Sequence, residues 1–453
     1  MNTNQLLKYL ELENRLSLSL KITGGKIDSR QIREGEIFFA YKGNKVDGNK
    51  FVDQAFKNGA SIVFTSDRSC VKNNRIFYVK SITKCLIKVA EFWLSNFSPI
   101  KIAITGSNGK TTLKDTVTNV LEREFGKNSV ISNEGNQNNQ IGVPLNILKL
   151  KKKHKYAVFE LGMNSMGEIS TLSKILKPNY SVITNIGTAH IGELGSQENI
   201  LKAKIEIVDG MHSKGILLID YEDKYANKIR SLLKEKVIIN DIGTTGSVTI
   251  KWDVQNKIFY NLKFDQKNLK FILKKQYGKH LLKMFAFSGL LAVLLKVKNS
   301  NLKKTIESFL PLKGRQKIIS LSKTMSIIDD SYNANYESMI AAINYLNTFN
   351  NHKIIIFGEI AELGKFSDQI HLKIAKYLRN NFTGIVIGFG CKTKIFEMSL
   401  KGNFFYVQTH DQILKMIYAK TRKKSCTLLF KGSRLNKLDL VIDELVNHYK
   451  EKI

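Results

Sequence analysis

The chain has 453 residues, with 71 Lys+Arg against 39 Asp+Glu and a formal net charge of +32. Hydrophobic residues at 43% and charged residues at 24% exclude a wholly disordered chain, and the length allows about three domains. So basic a chain raises nucleic acid or an anionic membrane as partners, yet its most apolar stretch, Met284 to Leu295, is too short to cross a bilayer.

The opening residues, MNTNQLLKYLELENRL, space their apolar side chains as in a short amphipathic helix and lack the pattern of a secretory signal. Cys70, Cys85, Cys391 and Cys426 are scattered without a CxxC pair, which fits a reducing cytoplasm better than a disulfide framework or zinc ribbon. Residues 1–99 mix short strands (GEIFFAY, SIVFTS, RIFYVK) with helical DQAFKNG and LIKVAEFWLSN. Pro99 and Pro311 mark seams, since proline disfavours helix at the preceding residue; Pro144 and Pro178 are expected between helical and strand-like runs. Three pieces result: 1–99, 100–313 and 314–453.

In the middle piece KIAIT runs into the helix TTLKDTVTNVLEREF, followed by the strands YAVFE, YSVITNI and GILLID. Lysine-rich KLKKKHK (149–155) reads as a solvated loop or helix end, and 245–273 reads as an antiparallel meander. The last piece repeats strand then helix through MSIIDD, KIIIFGE, GIVIGFG, FFYVQT and TLLFKGS. Continuous apolar strands separated by helices predict parallel, doubly wound sheets, and no internal repeat is visible.

The sharpest chemical signal is Ile104-Thr105-Gly106-Ser107-Asn108-Gly109-Lys110-Thr111-Thr112, after a strand and opening a helix. Glycines let the backbone wrap a phosphate, helix N-terminal amides point at it, Lys110 reaches the outer phosphates and Thr111 holds magnesium. Ile104 stands where the strict pattern has glycine, so the loop is a variant. Glu160 ends YAVFE and His190 follows the next strand. In a parallel sheet both lie at the edge that carries the loop, where a carboxylate can hold magnesium. A lone histidine is more often a surface or core residue than a ligand.

With these runs in view, the chain resembles the Mur ligases, three-domain ATP-dependent amide-bond-forming enzymes of peptidoglycan synthesis. The resemblance extends from Asp28 to about Asp439. It is carried by DSR (28–30), GEIFFAYKGNKVDGNKF (35–51), TGSNGKTT (105–112), GNQNNQIGVPL (135–145), ELG (160–162) and NIGTAHIGELGS (185–196). It continues through KAKIEI (202–207), GR (314–315), DDSYNANYESM (329–339), ELG (362–364) and KGSR (431–434). It implies an α/β fold of three domains: a small α/β domain binding the UDP-substrate (1–99), a central P-loop-type doubly wound ATPase domain (100–313), and a C-terminal Rossmann-like parallel-sheet domain (314–453) that closes over ATP and binds the amine.

The implied substrates are ATP, UDP-N-acetylmuramoyl-tripeptide and D-alanyl-D-alanine, and the implied enzyme is a cytoplasmic monomer with no membrane span and no nucleic-acid partner. The implied cofactors are two magnesium ions on Thr111, Glu160, His190 and Lys204, with Lys204 carried as an N6-carboxylysine. Gly106, Ser107, Asn108, Gly109, Lys110, Thr111 and Thr112 correspond to the triphosphate loop. Arg315 would face the phosphates and Asp330 the ribose, with Asn333 beside them. Ser29 and Arg30, near Lys42 to Asp47, correspond to the uridine diphosphate end, and Asn136, Asn138, Asn139 and Asn335 to the rest of the substrate site. Lys110, Glu160, His190 and Lys204 form the catalytic set.

The chain departs from that pattern at Met284, where an asparagine near the base is usual, at Asp220-Tyr221-Glu222 for Asn-x-Asp, at Gly358-Glu359-Ile360 for GDM, and at Tyr336 for a proline. Two rivals stand beside this reading. A sister ligase would keep the loop and take another amine. A basic nucleic-acid-binding P-loop protein would want lysines and aromatics clustered on one face, whereas here lysine is spread over every piece.

Overall fold

The structure is a computed structural model that describes residues 1–243, 248–253, 259–264, 267–273, 277–400, 402–421 and 425–450. Three sheets organise it, of four, nine and six strands.

The first sheet is parallel throughout, and its strands Gly24–Lys26, Glu36–Ala40, Ile62–Thr65 and Ile76–Tyr78 lie in chain order. Its middle strands, EIFFA and IVFT, are buried almost end to end, as expected of strands covered on both faces. The helix Ile82–Leu94 covers one face with Leu86, Val89, Ala90 and Trp93. Trp93 also donates from Nε1 to the Leu150 carbonyl at 3.2 Å, tying this unit to the next.

The second sheet begins at the edge strand Val130–Ser132 and continues through Tyr156–Glu160, Ile100–Thr105, Tyr180–Ile183, Ile216–Asp220 and Ile238–Gly243, all parallel. Val248–Asp253, Phe259–Phe264 and Lys267–Ile272 extend it, the last two pairings antiparallel. The meander is therefore present as strands; its turns at 254–258 and 265–266, and residues 245–247, lie outside the described residues. The helix Lys279–Leu294 is apolar almost all round and is buried against the phosphate-loop helix Lys110–Phe125.

The third sheet orders Lys317–Ser320, Met325–Asp329, Cys426–Lys431, His352–Gly358, Ile385–Phe389 and Phe404–Val407, with only the first strand antiparallel. Two local expectations need correction. Ile385–Phe389 is followed by the 3-10 turn Cys391–Phe396 rather than an α-helix. Pro144 lies inside the helix Gly142–Ile147, in its first turn, where the missing N–H would have had no helical partner anyway. The run 149–155 connects that helix to the strand Tyr156–Glu160, with Lys151, Lys152 and Lys153 exposed.

Candidate active site

The strand Ile100–Thr105 turns into the helix Lys110–Phe125 through Gly106–Gly109. Gly106 has φ +146 and Gly109 φ +83, conformations that L side chains rarely adopt. A side chain at Gly106 would collide with the Thr184 hydroxyl, and a Cβ at Gly109 would stand 2.6 Å from Met284 Sδ. The loop is pinned to the neighbouring strand end: Ser107 N–H donates to the Asn185 carbonyl (3.1 Å), Asn108 N–H to Asn185 Oδ1 (3.1 Å), and Thr184 Oγ1 to the Asn108 carbonyl (2.6 Å). Lys110 Nζ donates back to the Gly106 carbonyl at 2.8 Å, and burial pushes its pKa down.

Around the loop opens a cavity of about 1580 Å³, lined by residues of the second and third units. Thr111 donates from Oγ1 to Glu160 Oε2 (2.7 Å) and accepts from Arg315 across the interface (3.0 Å). Glu160 is 3% exposed. Its second oxygen accepts from Asn138 Nδ2 (2.7 Å), and its backbone is held on both sides by the Asn133 amide. Asn133 in turn is approached by Lys114, whose Nζ donates to the Asn133 carbonyl at 2.7 Å.

His190 lines the cavity with a left-handed backbone, φ +63. Burial, with Lys110 and Lys204 nearby, pushes it down to about 4, so its ring is neutral. Its Nδ1 lies 3.4 Å from Glu362 Oε2 but off the hydrogen-bond direction, so this is proximity between a neutral ring and a carboxylate rather than an ion pair. Lys204 is 2% exposed, and burial together with Lys110 pulls its pKa well below the ordinary lysine value. Among the described residues no acid pairs with its amine.

On the far wall stand Arg315, Asp330, Asn333 and Asn335. The Arg315 guanidinium lies over the Tyr332 ring, 4.3 Å from its centroid. Asp330 is paired with Lys431, Nζ to Oδ2 2.7 Å; burial raises its pKa and Lys431 opposes that rise. Asn335 exchanges amide bonds with Asn108 of the loop, at 2.9 and 3.2 Å, while capping the helix Tyr336–Asn347.

The structure thus gathers the loop, Asn136, Asn138, Asn139, Glu160, His190, Arg315, Asp330, Asn333 and Asn335 around one cavity. Lys204 is buried and does not line it, but lies near enough to His190 to lower the histidine's pKa. Ser29 and Arg30 stand apart from it: Ser29 Oγ donates to Gln54 Oε1 (2.8 Å), and exposed Arg30 pairs with Asp28. Sequence reasoning did not single out Lys431, Glu362, Glu337 or Lys114. The first three lie inside runs that carried the family resemblance; Lys114 carries no pattern of its own.

The donor set suits magnesium. Thr111 and the buried Glu160 offer hard oxygens of the kind magnesium takes, while no group of three His, Cys, Asp or Glu able to cage a metal occurs among the described residues.

A phosphate loop on one parallel sheet, facing an arginine presented by a second sheet across a cleft, defines a P-loop α/β enzyme that works between two units. The chain belongs to the Mur ligase family. Family models match along its length: Mur ligase family, catalytic domain at 21–93; Mur ligase middle domain at 104–287; and Mur ligase, glutamate ligase domain at 314–434. It is 32% identical over 437 residues to the UDP-N-acetylmuramoyl-tripeptide--D-alanyl-D-alanine ligase of Buchnera aphidicola subsp. Baizongia pistaciae, covering 95% of this chain and 94% of the relative. Among solved structures it is similar to MurF from Acinetobacter baumannii, with TM-score 0.87, 28% identity and 98% of each chain covered. It is similar also to MurF ligase from Thermotoga maritima in complex with ADP, with TM-score 0.84 and 27% identity over 95% of this chain and 98% of that one.

Proposed function

We propose that the chain joins D-alanyl-D-alanine to UDP-N-acetylmuramoyl-tripeptide at the expense of ATP, completing the pentapeptide precursor of peptidoglycan. The observation that carries this reading is Thr111, held at once by Glu160 of its own unit and Arg315 of the third, so that the phosphate loop and the facing unit meet on one atom.

ATP lies with its phosphates in the loop. Lys110 leaves the Gly106 carbonyl for the outer phosphates, and Arg315 approaches them from the opposite wall. The tripeptide carboxylate attacks the γ-phosphorus, giving an acyl phosphate and ADP. The amine of D-alanyl-D-alanine attacks the acyl carbon, and phosphate leaves. Positioning and fixed positive charge do most of the work, since no protein nucleophile is needed. Thr111, Glu160, His190 and carbamylated Lys204 would hold magnesium, which would supply neutralising charge for the transferring phosphoryl group. Neutral His190 keeps a lone pair free. Burial lowers the Lys204 pKa and so favours the free amine, which can add carbon dioxide and release a proton; the resulting carbamate is an anion where an ammonium would repel metal.

Asp330, set by Lys431, takes the ribose, and Asn333 lies beside it. Asn136, Asn138 and Asn139 face the muramoyl peptide, and Ser29 and Arg30 take the uridine diphosphate end. The working units are 1–99, 100–313 and 314–453 of a single chain, since its own third unit completes the cavity. Four free cysteines suit the reducing cytoplasm.

The test is phosphate release with ATP, magnesium and UDP-muramoyl-tripeptide, comparing amines. Turnover that requires D-alanyl-D-alanine is expected. Turnover with another amino acid and none with the dipeptide would reassign the chain to a sister reaction.

A further inference from the structure

The segment Gly187–Gly192 carries His190 into the cavity, and its fixings come from both sides of the cleft. On its own unit, Ile186 N–H donates to Asp223 Oδ2 (2.8 Å) and Gly187 N–H to Ser107 Oγ (2.8 Å). From the third unit, Glu337 Oε2 accepts both the Thr188 N–H (2.9 Å) and the Thr188 hydroxyl (2.8 Å). Two residues beyond His190, Gly192 N–H donates to the Glu362 carbonyl at 3.0 Å. The approach is close at both points: a Cβ at Gly187 would lie 2.7 Å from Glu337 Oε2, and one at Gly192 2.7 Å from the Glu362 carbonyl oxygen.

Between these two clamps His190 holds φ +63, a conformation that costs a non-glycine residue energy and persists where its surroundings impose it. The clamps immediately before and after it belong to the third unit. Glu337 sits in the first turn of the helix Tyr336–Asn347, which Asn335 caps while pairing with Asn108 of the phosphate loop. One helix terminus therefore touches the loop and the His190 segment together.

We infer that Glu337 is a positioning residue: by gripping Thr188 from across the cleft, it sets the backbone that aims His190. This rests on the proposed ligase reading, and the test separates the two. Wild-type turnover decides the reading; the ratios between variants and the exchange of backbone amides decide the role of Glu337.

Glu337→Gln keeps a carbonyl oxygen able to accept both bonds, whereas Glu337→Ala removes them. In phosphate release, E337A is expected to lose about a hundredfold in kcat with KM for ATP changed less than about threefold, the scale of a misplaced reacting group. E337Q is expected to stay within about threefold of the parent. Thr188→Ser should keep both bonds and most of the activity, while Thr188→Val, which keeps only the backbone bond, should fall between the parent and E337A. Hydrogen exchange of the peptide spanning 186–192 should speed up in E337A and not in E337Q, a readout that needs no turnover. Equal damage from Gln and Ala, a loss confined to KM for ATP, or unchanged exchange in E337A would overturn the inference. If E337A fails to fold, equal activity of T188S and T188V overturns it, and a gap between them supports it.

Discussion

Lys110 is bonded through Nζ to its own loop at the Gly106 carbonyl, which holds the side chain beside the backbone turn. Replacing it with alanine should lower phosphate release by about a hundred- to a thousandfold, the range for removing one preorganised donor, with the melting midpoint little changed. The cysteines offer a second check at this scale. Burial pushes Cys85 up to about 12 and Cys426 to about 11, whereas Cys391 is exposed. A disulfide reagent at pH 8 should consume Cys391 first and reach Cys85 and Cys426 only on unfolding, because the thiolate is the reactive form. The sign for stability follows. The unfolded Cys85 thiol ionises near 9.0 while the folded one resists to about 12, so this residue favours the folded chain less and less as pH rises across that window.

At the scale of elements, the helix Lys279–Leu294 is the keystone behind the loop: Phe287 is fully buried, and Met284 packs under Gly109. Phe287→Ala should cost about 3–5 kcal/mol, measured as a lower denaturation midpoint of the unit that holds the second sheet. A bulkier residue at Gly109 would have to displace Met284 as well as adopt a strained φ, so Gly109→Ala should raise KM for ATP and also destabilise this unit by about 1 kcal/mol.

Why some elements were legible in the sequence and others not is visible here. YAVFE, IVFT and IIIF announce themselves as apolar runs because both faces are covered, and the glycines with GKTT mark the strand-to-helix turn. Pro144 misled because a proline is harmless in a first turn, and GIVIGFG because a strand can return through six residues of 3-10 turn. At the site, Glu160 and the loop were readable from position along a strand. Glu337 and Lys431 were not, because their importance lies in contacts between distant segments, 149 residues apart for Thr188 and Glu337.

For the whole molecule, the +32 charge is dispersed, and the cavity mixes lysines and an arginine with Glu160, Asp220, Glu222, Asp223, Asp330, Glu337 and Glu362. The general surface field should still attract anionic substrates. kcat/KM for ATP should fall as ionic strength rises, with kcat almost constant, since screening weakens encounter more than contacts already desolvated. A kcat that fell in parallel would place the salt-sensitive contacts inside the closed cleft instead.

Trp93, donated from the first unit to the Leu150 carbonyl of the second, also makes the molecule its own optical gauge. It is 6% exposed, and the chain has one other tryptophan, Trp252, in the strand Val248–Asp253. With Trp252 replaced by phenylalanine, every photon of indole emission would come from the seam between these units. Any substrate that levers them apart would wet the ring and shift its emission to the red, so movement there can be followed in unlabelled protein, in real time and without coupling to turnover.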